Sequence, residues 1–368
     1  MLSGKLFKRR GKGVMNTDFL QKYFEKNAKR YIFGATTEAE ELIEIHKNND
    51  LEVIAIIDNF YQQEFFVGLP CIKLEQVPED ALVVSAVTNS RPVDVNNLLE
   101  KHRLNYCDYF YFYRNSGFQC PKIEFWEGVL SHWESNQENY NEVKSWFEDD
   151  YSVSTFESIV NFRNKYDLSF MKDFKFDITN MYIEPFLNPF EDQSVFFDLG
   201  AFDGSDSERF LRNCPSGNAY LFEPIPSQTA ILEKKYQHNK AIQVVPVAVG
   251  SINKTVNFSL SGTSSKVVEP DQNEDVISVQ QISIDEFCSE NKVSPSYVKM
   301  DVEGVELDVL HGMENTILRD KPMLAISVYH RAEHLISVPQ YLKKLCPEYK
   351  FFLRHYTQGY SETVLFAV

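Results

Sequence analysis

The sequence predicts an α/β protein with two mostly parallel sheets, a smaller one near the N-terminus and a larger one whose last strand runs antiparallel, joined by a helical connector. Three observations predict it. Short apolar strands alternate with helical segments from Arg30 to about Tyr113, and the same rhythm returns more strongly from Val195 to the end. The stretch between is aromatic and charged, without strand alternation. The expected divisions are a basic arm over 1–29, a Rossmann-like domain over 30–115, the connector over 116–190 and a larger Rossmann-like domain over 191–368. A chain of 368 residues suits two domains, each able to bury its own core.

The elements follow in order. YIFGA leads into a helix over Glu38 to Asn48, then come strands VIAIIDN and ALVVSAV, a helix near Val95 to His102, and a strand in CDYFYFY. In the connector Trp126, Val129, Leu130 and Trp133 recur at helical spacing, as do Val143, Trp146 and Phe147, which reads as packing helices. The C-terminal strands are VFFDL, AYLFE, IQVVPVAV, YVKMD, MLAISVY, a segment around Lys350 to His355, and ETVLFAV. Helices are expected over Asp206 to Asn213, Ser227 to His238, Val305 to Leu318 and Val338 to Leu345. TVNFSL and ISVQQISIDEF form a hairpin-like insert leading into a short helix. The short Gln358-Gly359 turn makes the last two strands antiparallel.

Composition excludes several partners. A net charge of -16 argues against nucleic acid, which needs a cationic stripe. Lys5, Lys8, Arg9, Arg10 and Lys12 are the exception, read as a solvated terminal arm. No apolar run is long enough for a transmembrane segment, and the basic start lacks the apolar stretch of a signal peptide. Cys71, Cys107, Cys120, Cys214, Cys288 and Cys346 are scattered without a CxxC pair, so they read as reduced thiols and the expected compartment is cytoplasmic.

The turn Asp198-Leu199-Gly200-Ala201-Phe202-Asp203-Gly204 follows an apolar strand and opens a helix, a device that brings backbone close to a cofactor. Phe202 fills the second glycine position of GxGxxG, and an acid opening the turn does not suit a diphosphate. It does suit a sulfonium cation and an ammonium group, which favours S-adenosyl-L-methionine over NAD. Asp198, Gly200, Ala201, Asp203 and Gly204 are the expected cofactor residues. Glu223, one strand later, is placed to accept the ribose hydroxyls, against the plainer reading of a surface Glu at a strand end. Ala248, within Val247-Ala248-Val249, marks where adenine would lie.

Acceptor chemistry belongs at the strand ends beyond the same sheet edge. Asp301 is placed to orient an acceptor, act as general base or hold a divalent cation, or else simply to cap the helix that follows, and Glu303 is a second candidate. His330, delivered by MLAISVY, is a candidate base or substrate clamp. Arg354, His355 and Glu362 flank the final hairpin as candidate acceptor-pocket residues, and Ser264 and Ser265 are candidates for a loop folding over the cofactor. Methyl transfer from a sulfonium is an in-line displacement, so alignment and proton removal carry the catalysis and no enzyme nucleophile is required.

The ordered blocks DLGAFDG, FEP, VPVAVG, SIDEF, VKMDVEGVELDVLHG, ISVYHR, LRHY and ETVLFA resemble the FkbM family of S-adenosylmethionine-dependent methyltransferases over roughly Asn180 to Val368. The resemblance implies a class I methyltransferase sheet and O-methylation of a hydroxyl on a sugar or glycan precursor, with Asp198, Gly200, Gly204 and Glu223 at the cofactor. Residues 30 to 113 look like the N-terminal domain of some such methyltransferases and of sugar-modifying acyltransferases. Gly34 and Ile57-Asp58-Asn59 match it, but Thr36, Thr37 and Ala39 stand where glycines are expected, leaving Asp58 between nucleotide binding and packing. The expected partner is a small-molecule or carbohydrate acceptor; metal use and oligomeric state stay open. The competing reading is a non-catalytic or nucleotide-sugar-binding scaffold protein that retains the fold.

Overall fold

In the computed structural model the chain forms two compact units, and residues 17–120, 123, 125–187, 190–259, 266–267 and 276–368 are described. The basic residues from Lys5 to Lys12 and the loop serines Ser264 and Ser265 lie outside the described residues.

The first unit comprises the described part of Met1–Ile123 together with Ser158–Phe176 and Thr357–Tyr360. Helix α1 (Thr17–Tyr23) precedes a sheet of β1 (Arg30–Phe33), β2 (Ala55–Ile57), β3 (Phe65–Phe66), β4 (Leu69–Ile72), β5 (Leu82–Ser85) and β6 (Asn105–Cys107). Their order is β3-β4-β2-β1-β5-β6, parallel except where β3 meets β4. Helix α2 (Thr37–Asn48) is capped by Thr36, whose side chain accepts the Ala39 N–H, and α3 (Pro92–Lys101) starts on a proline, where a missing N–H costs nothing. Asp58 Oδ2 accepts from Ala35 N at 3.0 Å while Oδ1 accepts from Phe60 N at 2.8 Å and Tyr61 N at 3.0 Å. That carboxylate is engaged in holding turns.

CDYFYFY departs from expectation. Its strand ends at Cys107, and Tyr109–Asn115 is helix α4. Aromatic density reads as strand, but Asp108 caps a helix by accepting the Tyr111 N–H at 2.9 Å, and Tyr109, Phe110 and Phe112 are buried.

The second unit comprises Glu124–Glu157, Asp177–Tyr356 and Ser361–Val368. Helix α5 (Val129–Ser135) begins after Gly128, so Trp126 is buried but outside the helix its spacing suggested; α6 (Gln137–Lys144) and the start of α7 (Asp150–Lys165) follow. Next come β7 (Val195–Leu199), α8 (Ser205–Asn213), β8 (Asn218–Phe222), α9 (Pro226–Tyr236) and β9 (Ile242–Val245). The run IQVVPVAV breaks at Pro246, which has no N–H to extend the ladder. Its second piece, β10 (Ala248–Val249), joins a small separate sheet with β11 (Lys254–Ser259), β12 (Lys266–Val267) and β13 (Val276–Ile282). There β11 and β13 pair antiparallel, the expected hairpin-like insert, leading into α10 (Ile284–Asn291).

The chain then returns to the main sheet with β14 (Tyr297–Met300), α11 (Glu306–His311), α12 (Glu314–Asp320), β15 (Met323–Ser327), α13 (His334–Leu345), β16 (Phe351–His355) and β17 (Thr363–Ala367). The single helix expected over Val305 to Leu318 is two. Gly312 interrupts it where a Cβ would stand 2.0 Å from the Gly250 carbonyl oxygen. Strand order is β16-β17-β15-β14-β7-β8-β9, all parallel except β17. Under the sheet Phe196 stacks on Phe210 at 4.9 Å and meets the tilted Tyr297 ring at 5.3 Å, all three buried. Each such ring contributes roughly 1.5–3 kcal/mol. Because the chain leaves β7 toward β8 and later returns to its other side at β14, a crevice opens at the carboxyl ends of β7 and β14.

Candidate active site

The crevice is a cleft of about 600 Å³, within the range of small-molecule sites. Its floor is the turn after β7. Gly200 adopts φ +81, and a Cβ there would lie 1.9 Å from the Asp301 carbonyl oxygen, so two strand ends touch backbone to backbone. Phe202 and Glu303, at φ +46 and +56, are left-handed non-glycine residues on the same cleft, as is Glu362 at φ +66. Such conformations cost of order 1–3 kcal/mol each and gather at functional sites.

Glu223, just past β8, is buried at the cleft wall. Its Oε2 accepts from Phe202 N at 3.1 Å and Oε1 from Ile225 N at 2.9 Å. Burial raises its carboxyl above the ordinary range, against the pull of those two N–H groups. Each carboxylate oxygen keeps a second lone pair for a ligand hydroxyl. Phe222, Ile225 and Val247 to Val249 add apolar wall.

Behind the floor is a buried charge cluster. Lys299 donates to the Gly200 carbonyl at 2.6 Å and stands 3.2 Å from Asp198 Oδ1 and 3.8 Å from Asp206 Oδ2. Ser207 donates to Asp198 Oδ2 at 2.7 Å, and Arg209 binds Asp206. Burial opposes the lysine's charge, but Asp198 and Asp206 outweigh it and raise its pKa. Asp206 is pushed up to about 6, by burial first and against the pull of Lys299.

A second cluster gathers at the ends of β14 and β15. Tyr182 donates to Asp301 Oδ2 at 2.9 Å and meets Ser327 at 3.0 Å. His330 Nδ1 is 2.7 Å from Glu306 Oε1, its Nε2 3.4 Å from Asp301 Oδ1 and 3.7 Å from Glu303 Oε2. Glu306 is fully buried, accepts from Val302 N and Gly304 N, and has His334 Nδ1 3.0 Å from its other oxygen. Burial pushes Glu306 up, yet the two histidines hold it well below the usual carboxylate range. Burial also works against charge on His330, but Glu306, Asp301 and Glu303 raise it to about 9. Glu362 is pushed up to about 7 by burial and then by Asp301.

Comparison with known proteins matches this half of the chain to a family: residues 198–352 fit the methyltransferase FkbM domain. The match spans the sheet from the end of β7 into β16. The fold over nearly the whole chain is that of an FkbM methyltransferase from Methylobacillus flagellatus, with a TM-score of 0.75 at 22% identity, covering 95% of this chain and 92% of that one. Two curated relatives match a shorter stretch. The 2-O-methyltransferase NoeI of Sinorhizobium fredii is 27% identical over 146 residues, 34% of this chain and 60% of the relative. The hexuronic acid methyltransferase AglP of Haloferax volcanii is 28% identical over 130 residues, 34% of this chain and 53% of the relative. This chain thus spans little more than half the length of either.

Within the FkbM domain Gly200, Ala201, Asp203, Glu223, Ala248, Asp301 and Glu303 line the cleft. Asp198 stands behind it, and the cation it meets is Lys299. Gly204, at φ +75, opens α8, where a side chain would strike the Tyr236 ring. His330 is also behind the wall, its side chain 1% exposed, with Asp301 and Glu303 in front. Arg354 and His355 do not reach the cleft. Arg354 pairs with Asp149 at 2.7 Å and His355 with Thr363 at 2.9 Å. Sequence reasoning missed Lys299, Glu306 and Tyr182. Lys299 carried a signal, as a charge inside an apolar strand, and Glu306 could be read only as a helix residue. Tyr182 comes from the connector with no local mark. Among the described residues no helix is long and apolar enough to cross a membrane.

Proposed function

We propose that this FkbM domain transfers a methyl group from S-adenosyl-L-methionine to a hydroxyl oxygen of a sugar or glycan precursor. The observation that carries it is the continuity of one cleft, from the Gly200 turn and Glu223 to Asp301 and Glu362. The residues fit the cofactor. The glycine floor leaves no room for a side chain, Glu223 offers lone pairs to ribose hydroxyls, and the apolar wall suits a flat ring. When bound, S-adenosyl-L-methionine supplies an electrophilic methyl group.

The chain's own residues do the rest. Lys299 fixes the Gly200 turn, and Tyr182 fixes the Asp301 carboxylate at the cleft. Asp301 orients the acceptor hydroxyl, and Glu362, on the same cleft, takes its proton. His330, with Glu306 at its back, acts as a clamp that sets Asp301 and Glu303. The names of NoeI and AglP, one a 2-O-methyltransferase and one acting on hexuronic acid, support a carbohydrate acceptor.

Calorimetry with S-adenosyl-L-methionine tests the cofactor: one site in the wild type and at least tenfold weaker binding in Glu223→Ala are expected. Equal binding by the variant would sink the assignment. Labelled methyl transfer onto a panel of uronic acids and hexoses tests the acceptor class, with Glu362→Gln expected to lose at least tenfold in turnover while keeping cofactor affinity.

A further inference from the structure

Asp301 Oδ1 and His330 Nε2 are buried, make no hydrogen bond, and face each other at 3.4 Å. Glu303 brings a carboxylate oxygen to 3.7 Å from the same Nε2. Ligands bound to one ion at about 2.1–2.2 Å stand roughly 3.0–3.7 Å apart, so the separation of each carboxylate from Nε2 suits a shared ion. Asp301 and His330 lie in a cluster with Glu306 whose ligand atoms are all within 4.8 Å of one another. The other ring nitrogen, Nδ1, is held by Glu306 at 2.7 Å. A carboxylate on the far side of a histidine is how metal-binding imidazoles are fixed with Nε2 presented to the ion. Glu306 is itself held by Val302 N, Gly304 N and His334, which leaves it a supporting partner.

Charge points the same way. Asp301, Glu303 and Glu362 all line this part of the cleft. The nearby lysine, Lys299, is committed to Asp198 and Asp206.

We propose that Asp301, Glu303 and His330 hold a divalent cation, with Glu306 orienting the histidine. Two carboxylates and an imidazole favour a first-row ion such as Mn²⁺ over Mg²⁺, which prefers all-oxygen surroundings. Three protein ligands leave coordination positions on the cleft side, where an acceptor hydroxyl, or a vicinal pair, binds and sheds its proton more readily, to Glu362. That role rests on the methyl-transfer reading; the site itself does not.

The test is a titration of the chelator-stripped full chain with Mn²⁺, followed by the paramagnetic resonance signal of the free aqua ion. One bound ion per chain with a sub-millimolar Kd is expected, weakened at least tenfold in His330→Ala and Asp301→Asn and about 10–100-fold in Glu306→Gln. Pulsed resonance on the wild type should show coupling to an imidazole nitrogen, which needs no variant to fold. No binding below millimolar Mn²⁺, unchanged affinity in His330→Ala, or no nitrogen coupling would overturn the proposal. Calorimetry with S-adenosyl-L-methionine on the same stripped protein reports separately on the methyltransferase reading, so the two fail independently.

Discussion

Lys299 lies within an apolar strand and spends its charge on Asp198, Asp206 and the Gly200 carbonyl. Among residues this cluster shows best what a sequence hides. The place of the Gly200 turn and of Glu223 at the carboxyl edge of the sheet was legible because turn chemistry and strand ends are local. The partner of Asp198 was not, because pairing across parallel strands joins residues about a hundred positions apart. Sequence argument turned the acid of that turn toward the cofactor, whereas geometry turns it toward the lysine. Gly200 gives a sharp test at this scale. Its φ of +81 and the 1.9 Å approach to Asp301 oxygen leave no place for a methyl group. Gly200→Ala should cost about 2–4 kcal/mol in urea unfolding and weaken cofactor binding at least tenfold by calorimetry.

Elements were legible where periodicity was unambiguous, so the strands of the main sheet and helices α2, α8 and α9 were placed within a few residues. The failures have physical causes. CDYFYFY has the aromatic content of a strand, yet one capping carboxylate decides for helix. Pro246 splits a continuous apolar run between two sheets, and Gly312 splits a helix because another backbone passes too close. Asp108 caps α4 at a cost: burial raises its pKa from 3.8 to about 6, against the N–H of Tyr111. A raised carboxyl pKa stabilises the fold below about pH 4, and that stability is lost as pH rises through 6. The shift corresponds to about 3 kcal/mol. Asp108→Asn keeps a good cap without the charge. It should raise thermal stability at pH 7 and flatten the decline between pH 4 and 6, and an unchanged profile would discount this account.

For the whole molecule, 53 acidic against 37 basic residues give a field that attracts cations. S-adenosyl-L-methionine carries a net positive charge and its demethylated product does not. Raising salt should therefore slow association of the cofactor several-fold in stopped-flow while barely changing that of the product. Equal salt dependence would remove long-range attraction from the account. The backbone contact between Gly200 and Asp301 has a consequence at this scale for how such enzymes diversify. Residues 198–204 and 299–301 are locked to one another, so a change in either disturbs both, and the pair is closed to gradual drift. Ile178 and Met181, which line the same cleft, make no such backbone contact with the floor. Substitutions can accumulate there one at a time while the floor stays frozen.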